Sequence, residues 1–262
     1  MKFNAILLDI AEGIATITLN RPDKLNSFTG EMHADLKQAM QIIQADRSVR
    51  VLMITGAGRG FCAGQDLSER TMGGGETADV GSSLEKNYNP LLKQLRALPF
   101  PVICAVNGVA AGAGCNLVLA CDIVLAAKSA SFIQVFSRIG LIPDAGGTYT
   151  LPRLVGTARA MAAAMLAEKV SAEQAQQWGM IWKCVDDDRL MNEATALARQ
   201  LAGQATRALG LTKRAIYASA NNTFDQQLDL ERDLQREAGK SEDFREGVAA
   251  FKEKRQPTFT GR

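Results

Sequence analysis

One histidine, His33, stands in 262 residues, and no two cysteines are spaced Cys-x-x-Cys. These two absences exclude a zinc site built from histidines and clustered cysteines. They also leave a Cys-His or Ser-His nucleophile with a single possible partner. No apolar run approaches a membrane span, and the opening Met1-Lys2-Phe3-Asn4 reads as the start of a strand rather than of a leader. Aromatic residues make up only 6% of the chain, and the charge excess is only +2. So small an excess argues against a nucleic-acid partner or an anionic membrane surface. The five cysteines are odd in number, and Cys104, Cys115 and Cys121 lie in apolar runs. They read as reduced, buried residues of a cytoplasmic protein rather than a disulfide framework. Neither a fixed-period repeat nor a low-complexity linker divides the chain.

What is present is an ordinary globular composition, 47% hydrophobic and 22% charged. It can fill one large core. The chain is organised around residues 102–122. Val102-Ile103-Cys104-Ala105-Val106 is a buried strand bounded by Pro101 and Asn107-Gly108. Ala110-Ala111-Gly112-Ala113-Gly114-Cys115 follows, nearly bare of side chains, and then a buried helix through Leu117, Val118 and Leu119. Such a strand, turn and helix can expose main-chain N–H groups to an anionic ligand atom. It is equally a tight crossover whose glycines serve packing alone. A second strand at residues 50–55 delivers a similar loop, Gly56-Ala57-Gly58-Arg59-Gly60-Phe61-Cys62-Ala63-Gly64-Gln65-Asp66-Leu67. Two such loops can aim two N–H groups at one oxygen, as an oxyanion hole does.

Residues 5–20 read as a hairpin turning at Glu12-Gly13, and Thr29 as the N-cap of a helix with Met32, Leu36, Met40 and Ile43 on its apolar face. His33 lies on that helix, where a lone histidine reads as a surface or partner residue. Met72-Gly73-Gly74-Gly75-Glu76 reads as a mobile surface loop. Residues 84–98 read as a helix stopped by Pro99. Asp144 follows Pro143 and precedes Ala145-Gly146-Gly147. It either caps a helix starting near Gly146 or stands in a pocket wall beside Phe136, Ile139 and Leu141. Apolar surroundings of that kind raise a carboxyl toward the working range of an acid/base. Ser171 opens a further helix with a capping-box pattern. From residue 188 onward the chain reads as helices over 190–202, 206–220, 224–238 and 243–254, an annex to an α/β core.

Three segments together, Gly60-Phe61-Cys62-Ala63-Gly64-Gln65-Asp66-Leu67, Val106-Asn107-Gly108-Val109-Ala110-Ala111-Gly112-Ala113-Gly114 and Gly140-Leu141-Ile142-Pro143-Asp144-Ala145-Gly146-Gly147, resemble the crotonase (enoyl-CoA hydratase/isomerase) superfamily in order and spacing. The resemblance extends from Asn20-Arg21-Pro22 to Ala250-Phe251-Lys252-Glu253-Lys254-Arg255. It implies a spiral of ββα units over residues 1–195 and a helical trimerisation region over 196–262, giving a homotrimer or a dimer of trimers. It implies an acyl-CoA substrate with no separate cofactor, since coenzyme A is part of the substrate, and no metal. The main-chain N–H groups of Gln65 and Ala113 would form the oxyanion hole. The loops at Lys24-Leu25 and from Ala63 to Gln65 would contact coenzyme A. Asp66, Leu67, Tyr88, Gly112, Asn116 and Phe136 would surround the substrate, with Tyr88 alternatively a packing residue. Phe251 and Lys254 would reach the nucleotide end from a neighbouring subunit, the alternative for Lys254 being a solvated basic tail. Arg59 reads as exposed rather than as a phosphate ligand.

Hydratases of this family carry two glutamates, at positions held here by Asn116 and by Phe136, eight residues before Asp144. Asparagine takes up no proton and phenylalanine excludes water, so the resemblance implies an isomerase with Asp144 as its one acid/base. Tyr88-Asn89-Pro90, Trp178-Gly179-Met180-Ile181-Trp182 and Gln227-Leu228-Asp229-Leu230-Glu231-Arg232 resemble a branch that rearranges a ring epoxide on an arylacetyl thioester. Rival readings are a non-catalytic CoA-binding protein and a dehalogenase with Asp144 as nucleophile. Gly56-x-Gly58-x-Gly60 departs from the dinucleotide fingerprint, because its third glycine is one place early and opens no helix.

Overall fold

The apolar runs become the central strands of one sheet. In the computed structural model, which describes residues 3–69 and 79–262, β1 (Ile6–Ala11) and β2 (Ile14–Leu19) form the antiparallel hairpin. Helix α1 (Gly30–Ala45) follows, and its N-cap Thr29 accepts from the Met32 N–H. The sheet continues with β3 (Val51–Gly56), β5 (Val102–Val106), β7 (Ile123–Ala127) and β10 (Lys183–Val185), giving the order β1-β2-β3-β5-β7-β10. Every pair after the hairpin is parallel. Such strands lie between layers, which is why they read as unbroken apolar stretches.

A second sheet is built from much shorter pieces. β4 (Gly60–Cys62), β6 (Val109–Ala111), β8 (Ser131–Ile133) and β9 (Val170–Ser171) lie in that order. The chain passes from β3 to β4, from β5 to β6 and from β7 to β8, each time through a few residues and then into a helix. This repeated ββα step is the spiral that the resemblance implies. Between β4 and β5, α2 (Val80–Ser83) runs through a π-helical turn at Leu84–Tyr88 into α3 (Asn89–Ala97). Helix α4 (Ala113–Leu119) follows β6, and all seven of its residues are buried. Its close approach to β4 depends on Gly114, where a Cβ would run into the Cys62 carbonyl oxygen and side chain.

Helices α5 (Gly147–Val155), α6 (Thr157–Leu166) and α7 (Ala172–Gln177) cover the end of the spiral. Ser171 caps α7 by accepting from the Gln174 N–H. Helices α8 (Leu190–Ala202), α9 (Thr206–Ser219), α10 (Phe224–Ala238) and α11 (Glu242–Glu253) complete the chain. The division placed at 195/196 falls inside α8. That helix buries Leu190, Ala194, Ala198 and Leu201 and packs on β2, β3, β5 and β7. Among the described residues, no helix is long and apolar enough to cross a membrane. The glycine-rich segment around Met72 lies outside the described residues.

Candidate active site

The first donor loop is shaped by one short pairing. Phe28 lies beside Gln65 as an isolated parallel bridge. The Phe28 N–H donates to Gly64 O at 2.7 Å, and the Asp66 N–H donates to Phe28 O at 2.9 Å. A bridge made through the two neighbours leaves Gln65's own N–H directed to the opposite side. Gly64 (φ +92°) makes the bend, and a Cβ there would sit 2.9 Å from Ala111 O and 3.5 Å from Ala113 N. The two small-residue loops therefore run directly against each other.

The second donor is the first residue of α4. Gly112 precedes it with φ 53° and ψ −126°, and its N–H donates to Ile133 O at 2.9 Å. Ala113 thus begins a helix whose first N–H has no intrahelical acceptor. Among the described residues, neither the Gln65 N–H nor the Ala113 N–H has an acceptor. Both residues line one cavity of about 260 Å³, together with Ala63, Gly64, Leu67, Tyr88, Gly112, Phe136 and Asp144.

Asp144 faces this cavity from the loop before α5. The N-cap position of that helix is Gly146, so Asp144 stands two places before it. Its main chain is held from two directions. The Asp144 carbonyl accepts from Gly147 N–H at 2.8 Å and from Asn116 Nδ2 at 2.8 Å. Asn116 Oδ1 in turn accepts from Gln134 Nε2 at 2.8 Å. Asn116 is fully buried and absent from the cavity wall. The resemblance places Asn116 at the substrate, whereas the structure buries its side chain behind the wall. It sits behind the wall, with Gly147 pressed against its amide, and holds the acid's main chain in place. Phe136, the other position that resembles a hydratase glutamate, is buried in the wall with Val135, Ile139 and Leu141 around it.

Asp66 belongs to a different set of contacts. Ser68 Oγ donates to Asp66 Oδ1 at 2.6 Å and Arg21 Nη2 lies 3.0 Å from Oδ2. The Ser68 hydroxyl and the Arg21 guanidinium hold this carboxyl down to about 2, so it stays ionised near neutral pH. Leu25, in a left-handed conformation (φ 48°), accepts from the Ala63 N–H at 2.9 Å and packs on Gly60. Its neighbour Lys24 is exposed, as is Arg59. These residues border the first donor loop outside the cavity. Phe251 and Lys254 lie at the end of α11, away from the cavity of their own chain, with Phe251 85% exposed.

Sequence reasoning missed several features. His33 is buried, not on the surface, and its ring stacks on Phe28 with centroids 5.0 Å apart. Burial pushes it down to about 4, which leaves it neutral at ordinary pH. Ser83 and Leu84 of the α2 segment, Val135 and Arg138 also line the cavity. Their signal was only their nearness in sequence to Tyr88 and Phe136. Burial pushes the Cys62 and Cys115 thiols up to about 12, which removes either as a ready nucleophile. A larger cavity, about 1100 Å³ and bordered by Arg47, Arg50, Lys93, Arg96 and Arg214, contains none of these groups. Size does not decide between the two cavities. The smaller one joins a carboxylate to two N–H donors in an apolar wall.

The chain is similar to known proteins over nearly its whole length. Residues 9–262 match the family model for enoyl-CoA hydratase/isomerase. The chain is 57% identical over 258 residues to the 1,2-epoxyphenylacetyl-CoA isomerase of Escherichia coli K12, covering 98% of each. It is 47% identical over 262 residues, and 100% of each chain, to a Rhodobacter capsulatus protein named "Probable enoyl-CoA hydratase". The crystal structure of an enoyl-CoA hydratase from Bacillus anthracis superposes with a TM-score of 0.93 at 33% identity, covering 99% of this chain and 100% of that one.

Proposed function

The chain belongs to the enoyl-CoA hydratase/isomerase family, and on that footing we propose that it is an acyl-CoA isomerase acting on ring 1,2-epoxyphenylacetyl-CoA. The observation that carries this reading is a cavity wall that holds, among the described residues, a single carboxylate, Asp144, together with the main chain of Gln65 and Ala113. Hydration needs water positioned and deprotonated by carboxylates. Moving a double bond or opening a ring needs only a proton taken up and returned, and that step is redox-neutral and requires no separate cofactor.

Three groups then divide the chemistry. The Gln65 and Ala113 N–H groups receive the thioester oxygen as negative charge develops on it, a term worth ~2.7–4 kcal/mol per donor in comparable sites. Asp144 removes the proton on the carbon next to that carbonyl and returns it, possession of the proton alternating between base and substrate. The ring epoxide of a phenylacetyl thioester is an arene oxide. Breaking its C–C bond and redistributing the double bonds gives a seven-membered oxepin with the same atoms. For an enoyl thioester, the proton taken from C2 and returned at C4 moves the double bond from the 3- to the 2-position. A cavity of about 260 Å³ accommodates the acyl end and leaves coenzyme A outside, since sites enclosing a whole ligand run ~300–1,000 Å³.

The test uses 3-enoyl- and 2-enoyl-CoA thioesters in deuterated water, followed by mass spectrometry. Deuterium uptake with double-bond migration and no added water is the expected result. Addition of water would overturn the isomerase reading in favour of hydration. Binding without exchange would favour a non-catalytic CoA protein. The working assembly is a trimer or a dimer of trimers. Supporting this, Ile216, Phe224, Leu228, Phe244 and Phe251 of the C-terminal helices are 65%, 77%, 48%, 55% and 85% exposed, apolar side chains that a neighbouring copy would cover. Light scattering is expected to give three or six times 28.2 kDa, and a monomeric mass would refute it. All five cysteines are free thiols and four are buried, a pattern suited to the reducing cytoplasm.

A further inference from the structure

The side chain of Gln65 is held as firmly as its main chain. Tyr88 Oη donates to Gln65 Oε1 at 2.7 Å. The same amide then turns its Nε2 to donate to Phe28 O at 3.1 Å. That carbonyl also accepts the Asp66 N–H, while the Phe28 N–H holds Gly64 O. A chain of hydrogen bonds thus runs from Tyr88 through the Gln65 amide into the segment that directs the Gln65 N–H. An amide that accepts at one end and donates at the other has a fixed orientation.

The tyrosine is fixed in turn by rings. Its ring meets Phe28 edge-on at 5.1 Å and 72°, and His33 at 4.5 Å and 83°. His33 stacks on Phe28 at 12°. Contacts of this geometry favour one ring orientation over others. Tyr88 is 4% exposed and what it shows belongs to the cavity wall. Its ring and Phe136 supply aromatic faces to the acyl end, while its hydroxyl is turned to the donor loop.

We propose that Tyr88 is a positioning residue that sets the oxyanion donor of Gln65 through the Gln65 side chain, and that its ring selects flat, unsaturated acyl groups. This inference rests on the oxyanion role given to Gln65 above. Main-chain donors are usually treated as indifferent to their side chains. Here the Gln65 amide is part of the device.

The test compares Tyr88→Phe, Gln65→Met and the double variant with the unmodified protein. Tyr88→Phe keeps the ring and removes the hydroxyl. The expected result is a roughly tenfold lower kcat with KM for the aromatic thioester unchanged, a smaller loss than the ~10²–10³ of deleting a donor outright. The double variant should be no slower than Gln65→Met, because both changes break one chain. The infrared carbonyl band of a bound, unreactive acyl-CoA thioester gives a readout independent of turnover. It should shift on binding to the unmodified protein, and the shift should shrink in Tyr88→Phe. A full shift and full kcat in Tyr88→Phe would overturn the positioning role and leave the oxyanion hole standing. No shift in the unmodified protein would instead refute the oxyanion role itself. If Tyr88→Phe folds poorly, the band in Gln65→Met decides the same question, because an unshrunken shift there also overturns the relay.

Discussion

Asp144→Asn is expected to lower kcat by about 10²–10⁴ while leaving the fold intact, the range typical of losing a positioned acid/base. At ~1.36 kcal/mol for each tenfold change, that is roughly 2.7–5.4 kcal/mol of barrier. The structural argument for an intact fold is specific. The hydrogen bonds from Gly147 N–H and Asn116 Nδ2 go to its main-chain oxygen and survive the substitution. An amide of the same shape fills the same space in the wall but cannot carry the proton. The check is turnover together with deuterium exchange at the carbon beside the thioester, and with the thermal midpoint. Loss of both activities at an unchanged midpoint is the expected outcome. Undiminished exchange would remove Asp144 from the mechanism and direct attention to another group in the cavity.

How much of this was legible in the sequence follows from element length. The strands that became β3, β5 and β7 are five or six residues of nearly continuous apolar side chains, long enough to carry a pattern. The pieces β4 and β6 are three residues long and read as loop or turn. Their pairing is decided by neighbours distant in sequence, so no local signal announces them. The two small-residue loops were readable for the opposite reason, since bare main chain at the end of a strand is conspicuous. The role of Asn116 was not readable. Its partners, Gln134 and the Asp144 carbonyl, lie 18 and 28 residues away, and its contact is with main chain that has no letter in the sequence. His33 was missed similarly, because what buries it is Phe28 below and Tyr88 on another helix. Periodicity likewise sets no boundary inside α8. A helix that packs on a sheet and one that extends beyond it share the same periodicity.

The joint between the spiral and its helical annex yields the largest expected effect on stability. Lys213 of α9 is 8% exposed, with Nζ 2.8 Å from Asp122 Oδ2. It also donates to Leu95 O at 2.7 Å. Asp122 accepts from Val102 N–H at 2.8 Å and from the Tyr217 hydroxyl at 2.6 Å. Burial and the adjacent Asp122 charge push the Tyr217 phenol well above its ordinary value, so it remains a donor. The group ties α9 to the end of α3 and to the starts of β5 and β7. Lys213→Met keeps the length of the side chain and removes its charge and donors. It strands a carboxylate and a carbonyl in the interior, and the expected cost is about 3–5 kcal/mol. Asp122→Asn is expected to be costly too, but Lys213→Met/Asp122→Asn should cost less than the sum of the singles, with a coupling of ~0.5–3 kcal/mol. Denaturant midpoints compared at one fixed protein concentration check this, because assembly makes stability depend on concentration. Since neither residue lines the candidate cavity, kcat per folded molecule should be retained. A Lys213→Met protein within 1 kcal/mol of the unmodified one, on the ~0.5–3 kcal/mol scale of ordinary substitutions, would show that the annex is held by apolar packing alone.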